Sequence, residues 1–339
     1  MNTNLFGLLA IISMPLFWFS GCREMAVPPA GSYSEILLVT DEGRKNRCVP
    51  QILAWLSVEH DYIIEQEKYF EVSIVKASDL PDLPGTKNIL ICGVADPLTD
   101  AGKLIATFIG EAGLSKVRSG QASLLKKDNM PQPGQLTVIL TASSQSALEN
   151  VIAMRGGELE EIIETSCRER LRRHLLSYQD KEISNYLLKN YGFVIEVPTL
   201  YQLMSENLHP PGVELVREAP TRLLGVFWID LKNQPTLADK QLLFNIRKEY
   251  VWQRYDKDAM DSTRVWFSEE PLAGYPAVKM EGYWYNTKAT AGGYYVTYFI
   301  YQAEQDLLWA VDMLAYAPGF PKHPLFREML ALAETFRYE

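Results

Sequence analysis

Ala277–Gln302 reads AVKMEGYWYNTKATAGGYYVTYFIYQ. Two runs with apolar and aromatic residues at alternate positions flank a polar, glycine-containing connection, which predicts adjacent antiparallel strands near 279–302. Eight residues of this stretch are aromatic: Tyr283, Trp284, Tyr285, Tyr294, Tyr295, Tyr298, Phe299 and Tyr301. Aromatics at such spacing stabilise one another across a sheet, and they serve equally as a groove for sugar rings or peptide. Tyr283, Trp284, Tyr285, Tyr294 and Tyr295, with Lys322 and Arg327 further on, form the candidate binding surface. Gly292 and Gly293 permit a tight turn or the close approach of a partner's backbone. The prolines of APGFPKHP, Ala317–Pro324, stiffen a second contact loop.

Outward from this hairpin, KHPLFREMLALAETF predicts a closing helix and KQLLFNIRKEYVWQRY an internal one. In VELVREAPTRLLGVFWID, Val226 and Trp228 point one way and Phe227 and Ile229 the other, as in a strand covered on both faces. The first half has a different texture. Apolar runs bounded by turn formers predict strands near 34–41, 70–77, 87–94 and 137–142. Apolar residues from Leu148 to Leu175 recur at about four-residue steps, predicting a long helix over roughly 145–178, with a possible break at Gly156-Gly157 and a Leu148, Ile163, Leu171 face on the first sheet. KEISNYLLKNYG predicts a further helix capped by Gly192. The expectation is an α/β (α+β) protein with two sheet-containing lobes, 33–205 and 213–339, the second largely antiparallel, meeting at SENLHPPGVE.

The chain opens with an apolar run, Leu5 to Phe19, that ends in FSGC. It is too short for an ordinary spanning helix and closes on small residues before Cys22, like the lipobox of bacterial lipoprotein precursors. On that reading residues 1–21 are a signal peptide, Cys22 is acylated, and 22–32 (CREMAVPPAGS) is a tether. Acyl chains add roughly 0.8 kcal/mol per buried methylene and would hold a soluble body on a bilayer. Arg23 gives no acidic signal next to Cys22, and by analogy with Gram-negative lipoproteins this implies the outer membrane.

Composition narrows the function. With 47% hydrophobic and 22% charged residues the chain is globular, and its net charge of −9 argues against nucleic acid as a partner. The basic stretch Cys167–His174, CRERLRRH, is the local exception. It could meet phosphate or acidic headgroups, although compensation of a helix dipole accounts for it equally well. Beyond Cys22, the thiols Cys48, Cys92 and Cys167 form no C-x-x-C pair and allow at most one disulfide, with Cys92 expected as a small buried side chain. His60, His174, His209 and His323 show no metal spacing. No phosphate loop, dinucleotide fingerprint, zinc motif or nucleophile elbow occurs, so no cofactor, metal or catalytic residue is assigned. Ser144 or Ser146 in SSQS reads as a helix cap.

Several stretches together resemble a family of Bacteroidetes lipoproteins grouped as DUF4837. They are the lipobox Cys22, AGSYSEILLVTD, FEVSIV followed by KNILICGV, GVFWID, and the run from GYWYNTKATAGGYYVTYFI to DMLAYAPGFPKHPLFREMLALAET. Gly282, Trp284, Gly292-Gly293, Tyr316-Ala317-Pro318, Lys322 and Arg327 carry most of the likeness. It implies an envelope location and an α/β body and transfers no catalytic residue. The resulting expectation is a noncatalytic binding or assembly lipoprotein, held by lipid at Cys22, with an envelope protein or a glycan as further partner. The alternative is a periplasmic or surface hydrolase of glycan or peptide whose acid pair or nucleophile meets only in the fold.

Overall fold

The computed structural model describes residues 29, 31–62, 65–82, 85–121, 123–208, 210–231, 237–255 and 258–339. Residues 1–21, Cys22 and most of the tether lie outside them. Among the described residues no helix is long and apolar enough to cross a membrane.

The first lobe starts with β1 (Glu35–Thr40), α1 (Val49–Leu56), the hairpin β2 (Glu59–Tyr62) and β3 (Glu65–Lys68), and β4 (Glu71–Lys76). After it come β5 (Asn88–Val94), α2 (Asp100–Arg118), β6 (Leu124–Asp128), β7 (Leu136–Ala142) and α3 (Gln145–Leu176). Five strands form one sheet in the order β4-β1-β5-β7-β6, parallel except for the edge strand β6. The near-continuous apolar runs of β1, β5 and β7 are explained by burial of both faces. Leu37, Val39, Ile89, Ile91 and Ile139 meet α2, while Ile36, Leu38, Leu90, Val138 and Leu140 meet α1 and α3. Cys48, Cys92 and Cys167 are buried and free. Hydrogen bonding from Cys92 and from the Gln145 amide draws the Cys48 thiol down to about 7 against the effect of burial.

The second lobe adds α4 (Lys181–Tyr191), β8 (Phe193–Val194), β9 (Gln202–Leu208), β10 (Pro211–Arg217), β11 (Thr221–Asp230) and α5 (Lys240–Arg254). It finishes with β12 (Asp258–Glu269), β13 (Ala277–Asn286), β14 (Gly292–Gln302), β15 (Leu307–Tyr316), α6 (His323–Ala333) and β16 (Arg337–Tyr338). Seven of these strands make an antiparallel sheet, β12-β13-β14-β15-β11-β10-β9. VELVREAPTRLLGVFWID therefore holds two strands, β10 and β11, and its expected alternation stands: Val226 and Trp228 face one core, Phe227 and Ile229 the other. Phe193–Val194 forms the short β8, paired with the C-terminal β16. One face of the sheet is covered by α5, the other by α6, α4 and the end of α3. One sheet is mainly parallel and the other antiparallel, so the two halves differ in topology.

Two differences from the sequence expectation share a cause. Leu148 and Ile163 pack on the first sheet as predicted, but Leu171 packs against the core of the second lobe. A helix of 32 residues is about 48 Å long, about twice the span of a seven-residue strand, so its last turns run past the first sheet. Residues 181–201, expected in the first lobe, likewise bury Leu187, Phe193, Ile195, Val197 and Tyr201 in the second core. Ser144 caps α3 through the Ala147 N–H, as expected. No break occurs at Gly156-Gly157; a Cβ on Gly156 would come within 2.0 Å of the Trp55 indole nitrogen, so this glycine admits α1 rather than bending α3.

The paired glycines of the aromatic hairpin serve the protein's own packing. Gly293 lies opposite Trp284, and a Cβ there would come within 2.5 Å of the indole nitrogen and 2.6 Å of the Ala315 carbonyl oxygen. The second contact is backbone and cannot swing aside. Gly293→Ala should destabilise the protein by about 1–3 kcal/mol, the usual range for overpacking, with a matching fall in the thermal midpoint.

Candidate functional site

Where α3 leaves the first sheet it crosses the outer part of the second, and the lobes enclose a cleft of about 580 Å³. Its wall on α3 is Gly157, Glu160, Glu161, Glu164, Thr165 and Arg168; the sheet contributes Lys279 and Glu281 from β13, Tyr294, Val296 and Tyr298 from β14, and Met313. Tyr69, Glu270, Pro271 and α6 residues His323, Phe326, Arg327 and Leu330 complete it. The residues on this sheet face follow from strand alternation. Lys279 and Glu281 point into the cleft because Met280 and Gly282 point to the α5 side.

Three polar assemblies hold the cleft open and fix its walls. Arg327, only 3% exposed, sends Nε to Glu164 Oε1 at 3.0 Å and Nη2 to Oε2 at 2.6 Å, while Nη1 donates to Ser34 Oγ at 2.6 Å. Lys279 Nζ sits 2.7 Å from Glu281 and 3.4 Å from Glu270, and Glu270 accepts from the Tyr298 hydroxyl at 2.7 Å. Glu334, which caps the C-terminus of α6, takes Arg168 at 2.9 Å and Arg172 at 2.8 Å. The cleft lining carries two more carboxylates than arginine and lysine side chains. Glu160, Glu164 and Glu281 all act on Tyr69, whose phenol is raised chiefly by burial and further by these three charges. The Tyr69 ring meets His323 edge-on, centroids 4.1 Å apart.

Burial, reinforced by Glu164 one turn along the helix, raises the carboxyl of Glu160 above its ordinary value. A carboxyl raised in the fold holds its proton more tightly there than in the unfolded chain, so stability falls as pH rises from the ordinary carboxylate range through the raised value. Glu160→Gln should therefore be more stable than wild type at neutral pH, and the difference should close below the ordinary carboxylate range. Urea denaturation at pH about 7 and about 3 measures both limbs.

The expected aromatic surface is divided by the fold. Tyr283, Trp284 and Tyr295 are buried, Tyr294 is half-buried in the cleft wall, and Tyr285 is exposed. Trp284 and Tyr295 belong to the core under α5, where the Tyr295 ring lies 3.6 Å below the Arg247 guanidinium. Tyr283 packs between Tyr294, Trp266 and Arg264. Lys322 binds within the molecule: its backbone N–H donates to Glu67 at 2.7 Å and its ammonium lies 3.6 Å from the same carboxylate, docking the Pro-rich loop on β3. Only Tyr294 and Arg327 of the seven reach the cleft. The four-residue spacing of Glu160 and Glu164 is the sequence signal for its glutamates, which the sequence reading does not single out. His209 lies outside the described residues, and His174 is in a separate pocket. Among the described residues no group of three or more His, Cys, Asp or Glu could hold a metal ion.

Fold and site together define a two-sheet α+β protein with a charged interlobe cleft. A family model described as "Domain of unknown function (DUF4837)" matches residues 180–335, beginning at the residue that caps α4 and ending just after α6. Among solved structures, the chain is similar to LpqN, described as involved in cell envelope biogenesis of Mycobacterium tuberculosis. That similarity is at 14% identity over 42% of this chain and 81% of LpqN, with a TM-score of 0.29. No curated protein matches.

Proposed function

We propose that the protein is an envelope lipoprotein, anchored through Cys22 in the outer membrane, that binds an envelope glycan or protein segment in the interlobe cleft without transforming it. The cleft carries this reading. Its volume suits a sugar ring or a few side chains, tyrosines supply flat faces, and most of its carboxylates are engaged by Arg327, Arg168 and Lys279. Carboxylates held in ion pairs orient hydroxyls and amines well but are poorly placed to exchange protons with a substrate. The apolar segment ending in Ser-Gly-Cys supports the anchor; intact mass of membrane-extracted protein should show an acylated Cys22 as the first residue.

A photocrosslinking residue in place of Glu161, at the cleft mouth, should capture an envelope component in intact cells, while the same residue in place of exposed Lys103 on α2 should not. Equal yields at the two positions would refute the cleft reading. A hydrolase is the second reading, and one arrangement favours it: Glu160, its carboxyl raised by burial and by neighbouring Glu164, acts with Glu164 and Glu281 on the same tyrosine. Release of products from cell-wall fragments by wild type but not by Glu160→Gln would replace binding with catalysis.

A further inference from the structure

We propose that a second pocket, under the last turns of α3 and beside the root of the tether, binds a phosphate group. The pocket has a volume of about 360 Å³ and is lined by Tyr33, Lys87, Gly134, Arg170, Arg173 and His174, with Pro29 at its edge. No carboxylate lines it. This is the basic stretch singled out in the sequence, joined by a lysine from another element.

The central observation is Arg170, which is buried at 7% exposure. Its guanidinium donates to the carbonyls of Ser166 at 3.1 Å, Lys87 at 2.8 Å and Gly134 at 3.0 Å, to Asn88 Oδ1, and to Cys167 Sγ at 3.5 Å. Every acceptor is an uncharged group, so its hydrogen bonds are met while its charge is not. Among the described residues Arg170, Lys87 and Arg173 form no ion pair; Glu35 acts on Lys87 and Asp128, itself paired with Lys126, acts on Arg170 only at longer range. Lys87 and Arg170 also share one aromatic ring, lying 5.1 and 5.6 Å from the centroid of Tyr33. Gathering cations around a half-closed pocket is unfavourable unless an anion enters. Dipole compensation explains Arg173 and His174 in the last turn of α3, but neither Lys87, which precedes β5, nor the inward-facing Arg170.

The phosphate has two possible sources, a lipid headgroup or a free phosphorylated compound. Placement favours the first: Pro29 lines the pocket, and Cys22 lies seven residues earlier, at most about 25 Å of extended chain. That preference rests on acylation at Cys22; the phosphate site itself does not, and it is independent of the interlobe cleft.

The test uses the Cys22→Ser protein, titrated with inorganic phosphate by calorimetry and with phosphatidylcholine vesicles, with and without phosphatidylglycerol, by flotation. Lys87→Gln/Arg173→Gln should weaken phosphate-dependent binding roughly thirtyfold, at about fivefold per cation near an anionic surface. Lys103→Gln/Lys116→Gln, which removes the same charge from exposed α2, should change it by about twofold or less. Arg173→Gln alone, on an exposed side chain that makes no core contact, should give about the fivefold step even if the double variant folds poorly. Binding to phosphatidylglycerol vesicles identifies the headgroup as source, and binding to inorganic phosphate without vesicle binding identifies a free compound. Failure to bind either probe, or equal losses in the pocket and α2 variants, overturns the proposal.

Discussion

Asp312→Ala should be the most damaging single substitution in the second lobe, lowering stability by about 3–5 kcal/mol, a large share of the whole for a folded protein. Asp312 on β15 and Arg247 on α5 are both fully buried and joined at 2.8 Å and 3.1 Å, with Thr297 donating to the carboxylate and accepting from Arg247 Nε at 2.8 Å. Truncation leaves a guanidinium in the core with no counter-charge, and its Nη1 already lacks a hydrogen-bond partner among the described residues. The pair itself is not expected to be worth that much, because two charges had to be desolvated to form it. Arg247→Met/Asp312→Leu should therefore recover most of the loss. Urea denaturation of the single and double variants decides it: a double variant as unstable as Asp312→Ala would show that packing, not the orphaned charge, sets the cost.

Arg327→Met should cost about 3 kcal/mol and, unlike Asp312→Ala, should loosen the junction between lobes. From α6 the guanidinium reaches Glu164 on α3, Ser34 before β1 and the Tyr69 carbonyl before β4, so one side chain ties the second lobe to three parts of the first. Glu164 keeps Arg168 at 3.5 Å, which holds the loss at the lower end of the range for a broken buried pair. Arg327→Lys preserves the charge but not the two-pronged geometry and should recover less than half. Amide hydrogen exchange should rise around residues 34–36 and 69–71 in both variants. Unchanged exchange there, with stability lost, would mean that the lobes are held mainly by the apolar contacts of α3 and α6.

The aromatic hairpin shows how far local pattern reaches. Its strands, pairing and alternation follow from spacing, since successive side chains on a strand must face opposite ways. Which face is wet does not follow. Tyr295 and Tyr294 are neighbours of the same type, yet one covers Arg247 in a core and the other lines a cleft, because α5 seals the first face and α6 only part of the second. Arg327 illustrates the converse: it looks like a surface cation in FREM, and its three partners come from segments up to 293 residues away.

The sequence by itself determined the α/β class, the strands of both sheets that carry apolar runs, the long helix with a serine cap from SSQS, and the antiparallel character of the C-terminal part. These depend on periodicity, capping and turn chemistry, which act over a few residues. Only the tertiary structure decided where the lobes divide, that α3 serves both, and that Glu160, Glu164, Glu281, Tyr69 and Arg327 share one cleft while Lys87 joins Arg170 and Arg173 in another. Those juxtapositions are set by how much longer a 32-residue helix is than the sheet it covers, and by charges that pair across the gap it bridges. No local pattern encodes either.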